Sequence, residues 1–418
     1  MRLVADLHIH SRFSRSCSQK LTLPNIAKWC AIKGINLVST GDFCHPAWFK
    51  EISEQLVEDG EGLLGLKDGS SRVKFILGNE VSCIYKDKDK VRRVHLCLFF
   101  PTLANVAEFN NRLEAKGCNI RSDGRPILGL PAKEVLKTML DINPAAMMIP
   151  AHAWTPWFAV FGSKSGFDSL EECFEELTPE IFAIETGLSS VPSMNWRLRA
   201  LDKITLVSNS DAHSLSNLGR EANILEMSEF SYKELREIFK NKDRKKFIKT
   251  LEFYPEEGMY HYDGHRTCGV VLMPPETKKH NLICPSCRKP LTIGVLHRVS
   301  SLADRPENFA PPDAIPFNHI VGLDKIIAEA LGVKSRSNPS VQRTYEKLIA
   351  AGGNELKILL DIDYADLIKF APDKVVEGIR RVRENQVKLE AGFDGQYGKV
   401  IIFSPKEKDQ ARQKKLFD

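Results

Sequence analysis

The residues best suited to chemistry stand at the ends of short apolar runs. Leu3-Val4-Ala5 runs into Asp6-Leu7-His8-Ile9-His10. Residues two apart on a strand share a face, so His8 and His10 point the same way. Leu37-Val38 leads to Asp42 and His45, and Phe75-Ile76-Leu77 leads to Glu80. Val94 directly precedes His95, and Met147-Met148-Ile149 leads to His152. Phe182-Ala183-Ile184 leads to Glu185, and Leu206-Val207 leads to Asp211 and His213. A mixture of imidazoles and carboxylates suits Zn²⁺, Mn²⁺ or Fe²⁺ rather than an all-oxygen Ca²⁺ site. Eight or more donors exceed the needs of one tetrahedral ion, so two or three divalent ions bridged by a carboxylate are expected. Such a cluster is suited to phosphoester hydrolysis: a bound water loses its proton near a pKa of roughly 7, and neighbouring ions hold the phosphate oxygens. Asp211, Glu80, His8 and His10 are the expected carriers of that chemistry, with His95, His152, Asp42, His45 and His213 as further ligands. His45 and Glu185 read equally well as ordinary hydrogen-bonding residues. Arg12, Arg15 and Arg220 lie close in sequence to these donors and are candidate phosphate clamps.

A second donor group follows later. Cys284-x-x-Cys287 is a half-site for a structural zinc, and His265-x-x-Cys268 supplies a matching half. His261, His280 and His297 compete for the histidine position. A zinc would replace a hydrophobic core in this short stretch and hold up a binding surface. Lys278, Lys279, Arg288, Lys289 and Arg298 flank it and suit a DNA backbone.

The elements that must position these groups alternate. Between the apolar runs lie helical patterns such as Pro24 to Lys33 and Pro131 to Leu140, the latter opening with proline at a first helical position. Alternation of this kind predicts an α/β domain with a parallel sheet or barrel. In a closed parallel barrel the C-terminal strand ends converge on one mouth. Ser231 to Thr250 reads as a basic helical stretch carrying Lys240, Lys242, Arg244, Lys245, Lys246 and Lys249. After Asn318 the spacing predicts helices ending at Gly332, opening at Asn338-Pro339, and covering 354–362 and 372–389.

Composition sets the outer bounds. With 418 residues, two to four domains are expected at roughly 100–200 residues each. The 43% hydrophobic and 27% charged fractions exclude disorder, collagen and a small disulfide scaffold as the main class. A net charge of +5 permits a polyanionic partner without demanding one. Ten cysteines, scattered apart from one CxxC, fit a reducing compartment. No stretch approaches the roughly 18 apolar residues of a membrane span, and the first ten residues read as a strand rather than a leader. A cytoplasmic, nucleoid-associated location without a membrane partner is expected.

The order Asp-Leu-His8-Ile-His10, Gly-Asp42, Glu80, His95, His152 and Asp211-Ala-His213 resembles the polymerase and histidinol phosphatase (PHP) family. That resemblance implies a distorted (β/α)₇ barrel with a trinuclear metal site. It assigns His8, His10, Glu80 and Asp211 to one ion, Glu80, His95 and His152 to a second, and Asp42 and His213 to a third. Ser16 stands where the family often has a histidine, and Gly41-Asp42 where it usually has Asp-His. The third site is therefore expected to be weak or differently built, with His45 as a substitute. His-Arg-Thr-Cys268, Cys-Pro-Ser-Cys287 and Thr-Ile-Gly-Val-Leu-His297-Arg, together with the barrel and helical tail, resemble the endonuclease Q family over essentially the whole chain.

The second resemblance implies a metal-dependent DNA repair endonuclease that nicks 5′ of uracil, hypoxanthine, xanthine or an abasic site. It implies a barrel over 1–250, a zinc module over 251–300, an all-helical DNA-binding region over 301–405 and a tail over 406–418. An enzyme that inspects a base usually extrudes it, which makes Trp154, Trp157 and Phe158 candidate wedges or lesion-pocket walls. Packing against the barrel rim is the competing reading. Gln413, Leu416 and Phe417 resemble a short sliding-clamp-binding motif. Expected partners are double- or single-stranded damaged DNA and the clamp. Expected cofactors are two or three barrel metals (Zn, Mn, Fe or Mg) and one structural zinc. The rival readings are a small-molecule phosphoesterase of the PHP kind and a non-catalytic DNA-binding module.

Overall fold

The computed structural model describes residues 1–408. The first strands in chain order are β1 (Arg2–Asp6), β2 (Leu37–Ser39), β3 (Leu56–Glu58), β4 (Leu64–Leu66), β5 (Lys74–Asp87) and β6 (Lys90–Phe100). They are followed by β7 (Ile127–Leu128), β8 (Met147–Pro150), β9 (Ala183–Glu185), β10 (Thr205–Val207), β11 (Ala222–Glu226) and β12 (Phe247–Glu252). Every apolar run read from the sequence contributes to one of them.

The strands follow one another in a ring. β1 pairs parallel to β2, and β2 parallel to β5. β6 is antiparallel to both β5 and β8. The Ala153 N–H then donates to the Glu185 carbonyl at 2.9 Å, which links β8 to the parallel pair β9–β10. His10 N–H donates to the Ala212 carbonyl at 3.1 Å, and Asn223 Nδ2 donates to the carbonyls of Ala5 and Ser208. These bonds return the path to β1. Strand residues sort by parity. Ala5, Leu37, Ile76, Phe99, Met147, Ala183 and Val207 join one buried cluster. Val38, Phe75, Leu77, Leu98, Met148, Ile184 and Leu206 join another, beneath the helices Leu23–Lys33, Leu103–Ala115 and Ala132–Ile142. The first of these helices ends where Gly34, at φ 93°, turns its N–H back to the Cys30 carbonyl at 2.8 Å, a conformation that favours glycine. The third begins after Pro131, which caps the helix instead of occupying its first turn.

Four expectations are corrected. Ser231 to Thr250 is not one helix. Ser231 caps the helix Tyr232–Lys240, Lys242 turns the chain at φ 49°, and the rest enters β12. The apolar Phe247 and Leu251 pack as strand residues, so the lysine run is divided between two elements. The expected boundary at residue 250 therefore falls inside β12. Next come β13 (Asp263–His265) and β14 (Val270–Leu272), an antiparallel hairpin, and then β15 (Phe317–His319), which pairs parallel to β12. The C-terminal region is consequently not all-helical. It also holds the antiparallel pair β16 (Lys388–Glu390) and β17 (Lys399–Ile401). The last long helix stops at Arg383, with Asn385 at φ 53° just beyond, short of the expected end at 389.

The C-terminal helices have a core of their own, in which Leu323, Ile326, Val341, Leu348, Val375, Ile379 and Phe403 are buried. Each such side chain contributes about 1.5–3 kcal/mol of transfer free energy. The expected clamp motif of Gln413, Leu416 and Phe417 lies outside the described residues. Among the described residues no helix is long and apolar enough to cross a membrane.

Candidate metal centre

Five of the ring strands bring the predicted donors together. His8 and His10 follow β1, His152 follows β8 and Asp211 follows β10. Glu80 and His95 lie within β5 and β6, whose antiparallel register sets Glu80 opposite Cys97 and Ser82 opposite His95. Glu80 sits at the middle of the group. Its Oε2 lies 3.2 Å from His10 Nε2 and 3.6 Å from His8 Nε2. Asp211 Oδ1 is 3.1 Å from His10 Nε2 and 3.7 Å from His8 Nε2. The other oxygen, Oε1, lies 2.6 Å from His95 Nδ1 and 3.1 Å from His152 Nε2. One carboxylate thus faces two donor groups: His8, His10, Glu80 and Asp211, and Glu80, His95 and His152.

Unpaired atoms test whether this set fits a cation. Among the described residues, His8 Nε2, His10 Nε2 and Asp211 Oδ1 are buried without a hydrogen-bond partner. Buried polar atoms are almost always paired, so three converging orphans call for a further species. The opposite ring nitrogens are occupied. His8 Nδ1 lies 3.0 and 3.1 Å from the Glu185 carboxylate, and His10 Nδ1 lies 3.0 Å from Asp42 Oδ1. A carboxylate on Nδ1 holds the proton there and leaves Nε2 as a lone-pair donor. Both carboxylates are themselves held. Glu185 accepts from Asn209 Nδ2 at 2.9 Å and from His152 N–H at 2.7 Å. Asp42 accepts from Ser11 N–H, Ser11 Oγ and Ser14 Oγ.

The backbone is bent to make this arrangement. Asp42, His152 and Asp211 adopt φ of 49°, 28° and 46°. Such conformations cost about 1–3 kcal/mol each and cluster at functional sites. Gly187 lies behind His152, where a Cβ would come within 2.5 Å of the histidine Cβ. Electrostatics follow from burial and neighbours. Burial alone would raise Glu80, but His95, Arg125 and His8 outweigh it and hold the carboxyl well below its usual range. Burial pushes His95 down to about 4 despite the pull of Glu80. Burial raises the Cys97 thiol to about 12.

The donors assigned to a third ion do not form a group. Asp42 spends its oxygens on His10, Ser11 and Ser14, which makes it an orienting residue for His10. His45 stacks on Phe13 with ring centroids 4.5 Å apart, and His213 turns Nδ1 to the Asp211 carbonyl at 2.9 Å.

A cavity of about 500 Å³ opens beside His95 and His152, with Arg125, Trp157, Phe158 and Tyr260 on its walls. Phe158 tilts against His95 at 4.7 Å, and Trp157 meets Tyr260 edge-on at 5.3 Å. Trp154 is not a wall: it is 0% exposed and donates from Nε1 to Asn195 at 2.7 Å. The reason is that the chain folds back after it, with Phe161 packed on its ring. Arg125, which no sequence pattern marked, places Nη1 3.0 Å from Glu80 Oε2. Glu185 was visible as a strand-end carboxylate, but its hold on His8 was not.

The proposed phosphate contacts divide. Arg15 lines the cavity, mostly exposed, with Nε 3.3 Å from Asp123. Arg12 pairs with Glu51, and Arg220 donates to the carbonyls of Ser210 and Asp211. Arg298 donates to Phe161, Phe167 and Asp168. Lys278 and Lys279 are exposed at a helix end.

The second donor group also assembles. His265 ends β13, Cys268 lies in the hairpin turn, and Cys284 and Cys287 form a knuckle closed by Arg288 N–H to the Cys284 carbonyl at 2.9 Å. One donor atom from each of the four residues lies within 4.8 Å of all the others. Of the competitors, His297 is bound to Asp263 at 2.6 Å, His261 packs on Tyr262, and His280 is exposed. All ten cysteines are free thiols.

The fold and the site define a mixed α/β protein with adjoining groups of candidate metal donors on and beyond the ring strands and a separate Cys₃His group. Its relatives are specific. The chain is 31% identical, with a TM-score of 0.85, to the lesion-specific endonuclease PfuEndoQ from Pyrococcus furiosus, covering 96% of this chain and 95% of that one. It is similar, also at 31% identity and a TM-score of 0.85, to an Endonuclease Q solved with a 27-mer duplex bearing an abasic lesion at the active site, over 97% of this chain and 98% of that one. It is 30% identical to the uncharacterized protein YqxK of Bacillus subtilis, over 96% of this chain and 99% of that protein. Residues 322–386 match the MJ0043 C-terminal domain. The chain belongs to the endonuclease Q family of DNA-cleaving enzymes.

Proposed function

We propose that this protein is a metal-dependent DNA repair endonuclease that hydrolyses the phosphodiester 5′ of uracil, hypoxanthine, xanthine and abasic sites. One observation carries the reading: Glu80 stands between two sets of converging donors, beside an aromatic-walled cavity, in a chain that follows an abasic-DNA complex over 97% of its length. The strand ring is read as the distorted (β/α)₇ PHP barrel. His8, His10, Glu80 and Asp211 would hold one divalent ion, and Glu80, His95 and His152 a second. When bound, such ions supply an activated water and neutralise phosphate charge. The use of Asp42 as a partner of His10 favours two barrel ions over three.

The side chains do the rest. Asp42 and Glu185 keep the Nδ1 protons on His10 and His8. Arg125 brings a positive charge to the cavity beside Glu80 and suits a phosphate oxygen. Trp157, Phe158 and Tyr260 offer faces and edges for an extruded base, and the cavity volume of about 500 Å³ is that of a small-ligand pocket. A structural zinc in the Cys₃His group would brace the hairpin that follows Tyr260. The helices after residue 322 are read as a second DNA-holding surface.

The test uses labelled duplexes carrying one deoxyuridine, one deoxyinosine or one abasic site, with added Mg²⁺ or Mn²⁺ and undamaged duplex beside them. A single nick 5′ of each lesion, absent with Asp211→Asn, is the expected result. Equal cutting of undamaged DNA, or none at all, overturns the reading.

A further inference from the structure

A second cavity adjoins the metal centre and has no part in the chemistry above. It is a groove of about 560 Å³, walled by β6 and the loop 157–166. Trp157 lines both this groove and the cavity at the metal donors, so it stands as the ridge between them. The backbone ties the two together. The loop accepts from β6 twice, His95 N–H to the Phe158 carbonyl at 3.0 Å and Arg93 N–H to the Ser165 carbonyl at 3.1 Å. Arg93 lies on the same strand face as His95, about 6.6 Å further along at a rise of about 3.3 Å per residue.

The charges on its walls are of two kinds. Arg92 sits over the Phe167 ring at 3.9 Å and bonds Asp87 and the Gly166 carbonyl, while Arg298 bonds Asp168 and two loop carbonyls. These two build the walls. Asp168 is taken by Arg298, and Glu172 accepts the Asp168 N–H. Lys90, Arg93 and Lys164 remain, with no carboxylate partner among the described residues, and both lysines are exposed. Ser163 adds a buried hydroxyl on the same wall, also without a partner among the described residues. Three uncompensated cations and a spare hydroxyl suit an array of phosphate oxygens.

We infer that this groove binds consecutive phosphates of the DNA strand that flanks the cut, through Lys90, Arg93, Lys164 and Ser163. The inference rests on the endonuclease reading for its ligand. It assigns β6 two tasks: His95 serves the metal centre, and the residues toward the hairpin tip fix the strand that enters it.

The test compares the full chain with Lys90→Ala/Arg93→Ala/Lys164→Ala and with Lys116→Ala/Lys137→Ala, which removes exposed charge elsewhere. Fluorescence anisotropy with an undamaged labelled duplex gives Kd between 50 and 200 mM salt. The groove variant is expected to lower the slope of log K against log salt by about 2–3, near 0.9 per lost phosphate contact, and to weaken binding at least about tenfold. The control variant keeps the parental slope. An unchanged slope, or an equal change in the control, overturns the inference. A parent that binds with the groove-dependent slope but never nicks overturns the endonuclease reading and leaves the groove standing.

Discussion

The two donor clusters of this molecule are built in opposite ways. One draws on His8, His10, Glu80, His95, His152 and Asp211, residues spread over half the chain and carried by five strands. The other takes His265, Cys268, Cys284 and Cys287 from one short hairpin and knuckle. The first uses imidazoles and carboxylates, with Glu80 shared between two groups and a cavity open beside it. The second offers three thiols and an imidazole, a set that would saturate a tetrahedral ion and leave no position for substrate. A centre that does chemistry needs rigid scaffolding from distant elements, whereas a brace needs only local chain.

The largest expected effect breaks the first cluster alone. Glu80→Gln removes the carboxylate that faces both groups. Incision is expected to fall by about 10³-fold or more. Elemental analysis should find the barrel metals lost and the Cys₃His metal kept.

Cys284→Ser reverses the pattern. The buried thiol holds a segment with little core, and structural zinc contributes on the order of 10 kcal/mol to such folds. One metal equivalent should disappear, and limited proteolysis should open 266–290. A resistant loop in this variant would mean that packing, not metal, holds the module.

Glu185→Gln sharpens the comparison. Glutamine keeps the size but offers His8 Nδ1 a donor as readily as an acceptor, so the tautomer is no longer held. Metal affinity is expected to drop about 10–100-fold, while the melting temperature of metal-stripped protein stays near the parental value. A large fall in that temperature would make Glu185 a purely structural residue.

The smallest effect concerns buried carboxyls that belong to neither cluster. Burial lifts Glu252 from 4.5 to about 8, and burial together with Glu252 lifts Glu221. Unfolded carboxyls lose their protons near 4.5, whereas the folded pair keeps one to higher pH. Its stabilising contribution is present below about 4.5 and is lost as pH rises through about 8. Denaturant midpoints should therefore fall across that window, and Glu252→Gln should flatten the fall.

Much of this was legible in the residues. Strand-end runs marked the ring because a buried strand must be apolar whereas its end is free to carry polar chemistry. His265-x-x-Cys268 and Cys284-x-x-Cys287 were readable because their partners are local. Illegible features depended on three-dimensional neighbours. Lysine-rich 240–249 looked helical by charge, but Lys242 turns the chain and β11 captures Phe247 and Leu251 as strand partners. Trp154 looked like a wall until Phe161 folded over it.

The sequence by itself determined which atoms could bind a metal, because donor type is a property of the side chain and runs of hydrophobicity place it at a strand end. Only the tertiary structure decided their roles. It set Asp42 against His10, brought Glu185 to His8, and set Arg125 against Glu80. Those roles depend on distances of about 3 Å between residues up to 177 positions apart, and such distances are set by how strands pack, not by their order in the chain.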